Sequence, residues 1–185
     1  HADPQGGFFQ DGEGEGPDGI RLQPDGDGAL PSANSAALAL LLKLSRIGER
    51  PEYVKAAENL LRRHAARVRR HPQGYAYLLL GLGFYHGPAY EVVLAGAEGG
   101  RDTAALAQAL RRAFLPNVVT ILRPTDQAEP PILRLAPFTR AYGKAADGRA
   151  QAYVCRDYAC RLPTSDPQAL LAELSAELSA EPPGV

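Results

Sequence analysis

The chain has 185 residues, is 45% hydrophobic and 22% charged, and carries a formal net charge of −1. Its 19 Gly and 16 Pro stay below the level of low-complexity disorder, and the length suffices for one or two cored domains. The balanced charge provides no global field for nucleic acid or an anionic membrane, and no apolar stretch approaches the ~18 residues of a spanning helix, so neither is expected as a partner.

Residues 1–33 read as loop with a short hairpin at most. Their acids, Asp3, Asp11, Glu13, Glu15, Asp18, Asp25 and Asp27, stand among scattered Gly. The spacing does not match an EF-hand loop, so a solvated connection is expected, with Phe8 and Phe9 as anchors to a core. The amino end lacks a signal-peptide pattern, and a cytoplasmic setting is expected. The chain contains no Met, so His1 is not expected to be a translation start. The chain is expected to be processed or cut from something larger.

Residues 34–85 carry the period of three helices. The first opens at Asn34 or Ser35, both good caps, and Gly48 is its expected stop. The second has Pro51 in its first turn, where a missing N–H costs nothing, and an apolar stripe through Tyr53, Ala57, Leu60, Leu61 and Val68. His64 shares that stripe and reads as a core histidine. Arg62, Arg63, Arg67, Arg69 and Arg70 face away from it and read as a solvated face that complements the helix dipole. The third carries no charge between Gln73 and Tyr85, so burial on most sides is expected. Gly81 and Gly83 are costly in a helix and suggest close approach of a neighbour.

From residue 89 the period changes. Tyr90 to Leu94 is a compact β run. Asp102 is the expected cap of a helix from Thr103 to about Phe114, with Leu106, Leu110 and Phe114 in register. Val118 to Leu122 is a second strand. Strand, helix and strand of this size predict a parallel, right-handed βαβ unit. The intervening loop, Gly96 to Gly100, lacks the spacing of a dinucleotide-binding turn, and Glu98 would repel a phosphate. Residues 125–148 read as irregular. Ala150 to Cys155 predicts a strand, and Cys160 to Leu162 an antiparallel return. That hairpin would set Cys155 against Cys160, within reach of a disulfide. Asp166 caps a last helix from Pro167 to about Leu178, and Glu181 to Val185 should fray.

The expected fold is therefore mixed. Helical hairpins occupy residues 1–88, and a small α/β segment, a βαβ unit plus a hairpin, occupies 89–185. The chain shows no nucleophile elbow, zinc-binding helix, phosphate loop or clustered His, Cys and Asp set, so no metal and no cofactor is expected and no catalytic residue is declared. Two cysteines are too few for a disulfide scaffold, and their spacing is not that of a C-x-x-C motif.

Several segments resemble a known family. DGALPSANSAA (Asp27 to Ala37) is similar to the DGA-x-PSGNS-x-A stretch of proteins of the YyaL and spermatogenesis-associated protein 20 type, with Ala33 in place of the Gly. DPQGGFF (Asp3 to Phe9) looks like their D-P-x-x-GGFF segment. GYAYLLLGLGFYHGPAYEVVLAG (Gly74 to Gly96) resembles their buried helix and strand, and AYVCRDYACRLPTSDPQAL (Ala152 to Leu170) their closing hairpin and helix. The segments occur in the family's order and span nearly the whole chain. Members of this type carry a thioredoxin-like domain, then an α/α toroid similar to six-hairpin glycosidases and N-acylglucosamine 2-epimerases, then a small α/β end. The resemblance implies that this chain is a carboxyl-terminal fragment: the last toroid hairpins plus that end, without a complete active site. Its partners would be the upstream domains of the same protein.

Two alternatives accompany that reading. By fold analogy the toroid would bind a carbohydrate, with Ser32, Asn34 and Ser35 as polar contacts and Tyr75 or Tyr77 as a stacking surface. The bland role of Asn34 and Ser35 is helix capping. Alternatively, Cys155 and Cys160 would cycle between dithiol and disulfide.

Overall fold

The computed structural model describes residues 2–3, 6–12, 18, 20–23, 26–48, 50–156 and 159–179. The fraying expected at Glu181 to Val185 lies outside them. The chain divides into two compact units, one ending at His86 and the other beginning at Gly87.

The first unit holds three helices: α1 (Ala33–Ile47), α2 (Pro51–Arg70) and α3 (Ala76–His86), the last entered through a 3-10 turn at Pro72–Tyr75. Both α2 and α3 pack on α1. Leu38 and Leu42 of α1 meet a core built from Ala57, Leu60, His64, Tyr75, Leu78 and Phe84. Pro51 occupies the first turn of α2, as its missing N–H allows. The cap of α1 is Ser32, whose side chain accepts from the Ser35 amide, rather than Asn34 or Ser35. Gly48 does end that helix, but with φ −127°, an extended conformation that needs no glycine. Gly81 permits the expected close approach, because a Cβ there would stand 2.7 Å from Leu38 Cδ2; around Gly83 there is open space.

The third helix departs from expectation. Only Leu78, Gly81 and Phe84 are buried; Leu80 and Tyr77 are exposed, and Leu79 and Leu82 are half-covered. A helix that is apolar all round is stable when covered on all sides, and this one is covered on one.

The second unit is a four-stranded sheet of order β2-β1-β3-β4, made of β1 (Tyr90–Gly96), β2 (Val118–Pro124), β3 (Gln151–Arg156) and β4 (Ala159–Cys160). The pair β1–β2 is parallel, as the βαβ pattern predicts, with α4 (Arg101–Arg112) as crossover. The pairs β1–β3 and β3–β4 are antiparallel. One face buries Tyr90, Val92, Leu94, Ala152 and Val154 with Leu106 and Leu110 of α4 and Leu170 and Leu174 of α6 (Pro167–Ser179). Asp166 caps α6 by accepting from the Gln168 amide at 2.8 Å. The segment 125–148 contributes a short helix α5 (Ile132–Leu135) and a 3-10 turn (Pro137–Ala141).

Two expectations for α4 fail. Its cap is Gly100, and Asp102 sits inside its first turn. There Asp102 accepts the Thr103 amide at 2.9 Å and the Ala150 amide at 2.6 Å. The Ala150 bond is the largest of the causes that hold its carboxyl below the usual range. Phe114 lies beyond the helix end and is 84% exposed, not in the core register.

Candidate functional site

The first unit presents a polar corner and a groove, and the second a corner of its sheet. In the first unit, the sequence DGALPSANS folds around Asp27. One carboxylate oxygen accepts the Ser32 amide at 2.9 Å. The other accepts the Tyr77 and Leu78 amides at 2.8 and 3.2 Å, first-turn groups of α3 that have no partner inside the helix. Burial pushes this carboxyl upward, but the donors from Ser32, Ser35, Leu78 and Tyr77 together hold it below its ordinary value.

The polar residues proposed for sugar contact lie inside this corner. Asn34 is fully buried, accepting from the Phe8 amide at 2.8 Å and donating to the Phe8 carbonyl at 3.0 Å. Ser32 and Ser35 are buried and bonded to each other through their hydroxyls at 2.9 Å. Tyr75 is buried edge-on against His64, with ring centroids 6.4 Å apart. Only Tyr77 is exposed among these five. The amino-terminal loop is thus anchored through the backbone of Phe8. Gly7, at φ +82°, is needed there because a Cβ would stand 2.8 Å from Asn34 Oδ1. Arg63, read as part of a solvated face, instead pairs with Asp3 at 3.2 Å and donates to Gln23 at 2.6 Å. His64 is the core histidine expected, with Nδ1 2.9 Å from the Leu60 carbonyl.

Between α2 and α3 runs an apolar groove of about 420 Å³, lined by Leu61, Ala65 and Val68 on one side and Leu78, Leu82 and Tyr85 on the other. At one wall Tyr85 donates to Glu58 at 2.8 Å, and that bond is the main reason its phenol is raised above the ordinary value. Arg62 and Arg69 edge the groove.

In the second unit the site is a corner of the sheet. Cys155 and Cys160 are register partners on β3 and β4 and are joined as a disulfide. Cys155 is 2% exposed, whereas Cys160 is open to solvent and borders a groove of about 350 Å³ with Tyr90, Arg156 and Arg161. Tyr142, packed on Tyr153 with ring centroids 4.7 Å apart, donates to Cys160 Sγ at 2.9 Å. On β1, Glu91 is the register partner of Cys155 and is 2% exposed. Burial above all, then Glu91 and Tyr153, raise the Tyr142 phenol above its usual value, so it stays a donor.

Sequence reasoning singled out the cysteines but missed Asp27, Glu91 and Tyr142. The signal for Glu91 was present: it is the lone charge in the run YEVVL. Among the described residues no three His, Cys, Asp or Glu converge as a metal-ligand set, and no helix is long and apolar enough to cross a membrane.

No family model matches the chain, and no solved structure matches it. Three curated proteins do. Spermatogenesis-associated protein 20 of Homo sapiens is 33% identical over 167 residues, 89% of this chain and 21% of that protein. Its Mus musculus counterpart is 32% identical over the same share, and that of Rattus norvegicus 31% identical over 80% of the chain. The chain thus spans about a fifth of the length of these relatives. Over most of its own length, the chain is a homologue of one part of spermatogenesis-associated protein 20.

Proposed function

We propose that this chain is the carboxyl-terminal part of a longer protein and serves there as a packing partner for the remaining helices. The groove between α2 and α3 carries this reading, together with the open faces of α3. The proposed occupant is another helix of the same protein, the next hairpin of an α/α toroid. Two facts support that choice: the relatives are about five times the length of the matched segment, and the groove is apolar with few polar groups, as a helix interface is. A thioredoxin-like domain further upstream belongs to the same proposal. Alone, the chain should self-associate through this face. Sedimentation at rising concentration is expected to show mass increasing above the monomer. Leu82→Glu, which places a charge in the groove and leaves Leu38, Leu60 and Leu78 in place, should return it to monomer. A wild-type chain that stays monomeric at every concentration sinks the docking reading.

The exposed disulfide favours a second reading, thiol–disulfide exchange at Cys155 and Cys160. In the proposed cytoplasmic setting, where glutathione keeps thiols reduced, an accessible disulfide would cycle rather than persist. Opening it leaves β3 paired with β1 from Tyr90↔Arg156 to Ala95↔Gln151, so reduction does not require unfolding. Thiol counting in reduced and then oxidised glutathione should show two thiols appearing and disappearing. A bond that neither opens nor reforms ends that reading.

A further inference from the structure

The cysteine pair is asymmetric, and so are its surroundings. Cys160 is exposed and Cys155 is buried, so an incoming thiolate reaches Cys160. The electron pair of the broken bond then falls on Cys155, inside the sheet. A buried thiolate is unstable without a proton or a close donor, and the Tyr142 hydroxyl, 2.9 Å from Cys160 Sγ, stands 3.7 Å from Cys155 Sγ. The side chain opposite Cys155 across the antiparallel β1–β3 pair is that of Glu91, and register partners project from the same face with Cβ atoms about 5 Å apart. The apolar run Tyr90 to Leu94 would be expected to carry Val or Ile here. A carboxyl in its place carries a desolvation cost that an apolar side chain would not.

We propose that Glu91 is the proton carrier of the Cys155–Cys160 couple. This rests on the thiol–disulfide reading above. In reduction, a thiolate RS⁻ attacks Cys160 Sγ. The RS–Sγ bond forms, the Cys155–Cys160 bond breaks, and Cys155 Sγ takes the electron pair together with the Glu91 proton. A second RS⁻ attacks the R sulfur of the mixed disulfide. RSSR forms, and Cys160 leaves as a thiolate that Tyr142 is placed to stabilise by its hydroxyl. The two protons come from the two RSH molecules, one reaching Cys155 through Glu91. In the reverse direction the Glu91 carboxylate accepts the Cys155 proton as Cys155 attacks a mixed disulfide on Cys160. The co-reactant is a thiol small enough to reach Cys160. Among the described residues, the groups facing this corner include Tyr142, at the end of the 3-10 turn, Tyr153 on β3 and Cys160 on β4; β2 presents the apolar Val119 as the other register partner of Glu91.

The test uses the 185-residue chain with glutathione as probe. Cys160 is loaded as its glutathione mixed disulfide, and release of glutathione by Cys155 is followed from pH 4 to 10. Wild type should show a carboxyl ionisation in the rate profile besides the thiol. Glu91→Gln should lose that limb and be about tenfold slower or more near neutral pH. Superimposable profiles overturn the proposal and leave the redox reading standing. Failure of wild-type Cys160 to form the mixed disulfide, or to release glutathione from it, overturns both. Should the variant fail to fold, the carboxyl carbon of Glu91 is titrated by NMR in the oxidised and reduced wild type. Midpoints that differ between the two forms support the coupling, and identical midpoints overturn it.

Discussion

Asp27→Ala should lower the stability of the first unit by about 2–3 kcal/mol, which for a unit of this size moves Tm down by roughly 10–20 °C. The carboxylate ties together three things: the turn before α1, the start of α1 through Ser32, and the first turn of α3 through Tyr77 and Leu78. Its removal leaves three amides without an acceptor. Water can reach the exposed Tyr77 amide but reaches the others less well, so the loss exceeds that of a single cap. The same bond set gives a pH dependence. Because the folded carboxyl titrates below its ordinary value, the stabilisation is complete above the unfolded value of about 3.9 and disappears as pH falls through the folded one. Asp27→Asn should remove this part of the acid dependence. Thermal melts from pH 2 to 7 check both statements, and equal Tm for wild type and Asp27→Ala at neutral pH would contradict them.

Gly96→Ala should destabilise the second unit by about 3 kcal/mol. A Cβ at Gly96 would overlap Thr103 Oγ1 and stand 2.7 Å from Ala150 Cβ. Neither neighbour can yield easily. Thr103 is in the first turn of α4, and the Ala150 amide is bonded to Asp102. The end of β1, the start of α4 and the entry to β3 therefore meet at one hydrogen atom. Among the described residues the hydroxyl of Thr103 has no hydrogen-bond partner, so Thr103→Ala alone should cost little. In the double variant it should recover part of the loss, a coupling that denaturant melts of the four proteins measure. A Gly96→Ala melt within about 0.5 kcal/mol of wild type would refute the close-packing account.

These two sites mark what the sequence could and could not convey. Local rules placed Pro51 in the first turn of α2, Asp166 at the start of α6, and the parallel pairing of β1 with β2. Each depends on neighbours in the chain or on a chirality rule. Asp27 and Asp102 were legible only as acids near helix starts, because their decisive partners lie 50 and 48 residues away. The period placed Phe114 on the buried stripe of α4, yet the helix stops at Arg112, and the pattern carries no information about that end. For α3 the uncharged composition indicated burial on most sides, and the structure leaves open the faces that the groove borders. The pairing of the cysteines followed from hairpin register. The carboxyl beside them did not, since β1 and β3 meet only through tertiary folding.

Among the described residues, the sheet order leaves one edge of β2 without a strand partner. That edge belongs to the most β-prone stretch of the chain, Val118-Val119-Thr120-Ile121-Leu122, the type of segment that seeds aggregation when it is exposed during synthesis or on partial unfolding. Pro116 before it and Arg123-Pro124 after it act as gatekeepers: a ring that cannot donate and a charge that resists stacking. Loss of Arg123 would therefore be felt first in the yield of soluble protein, before any change in the folded state.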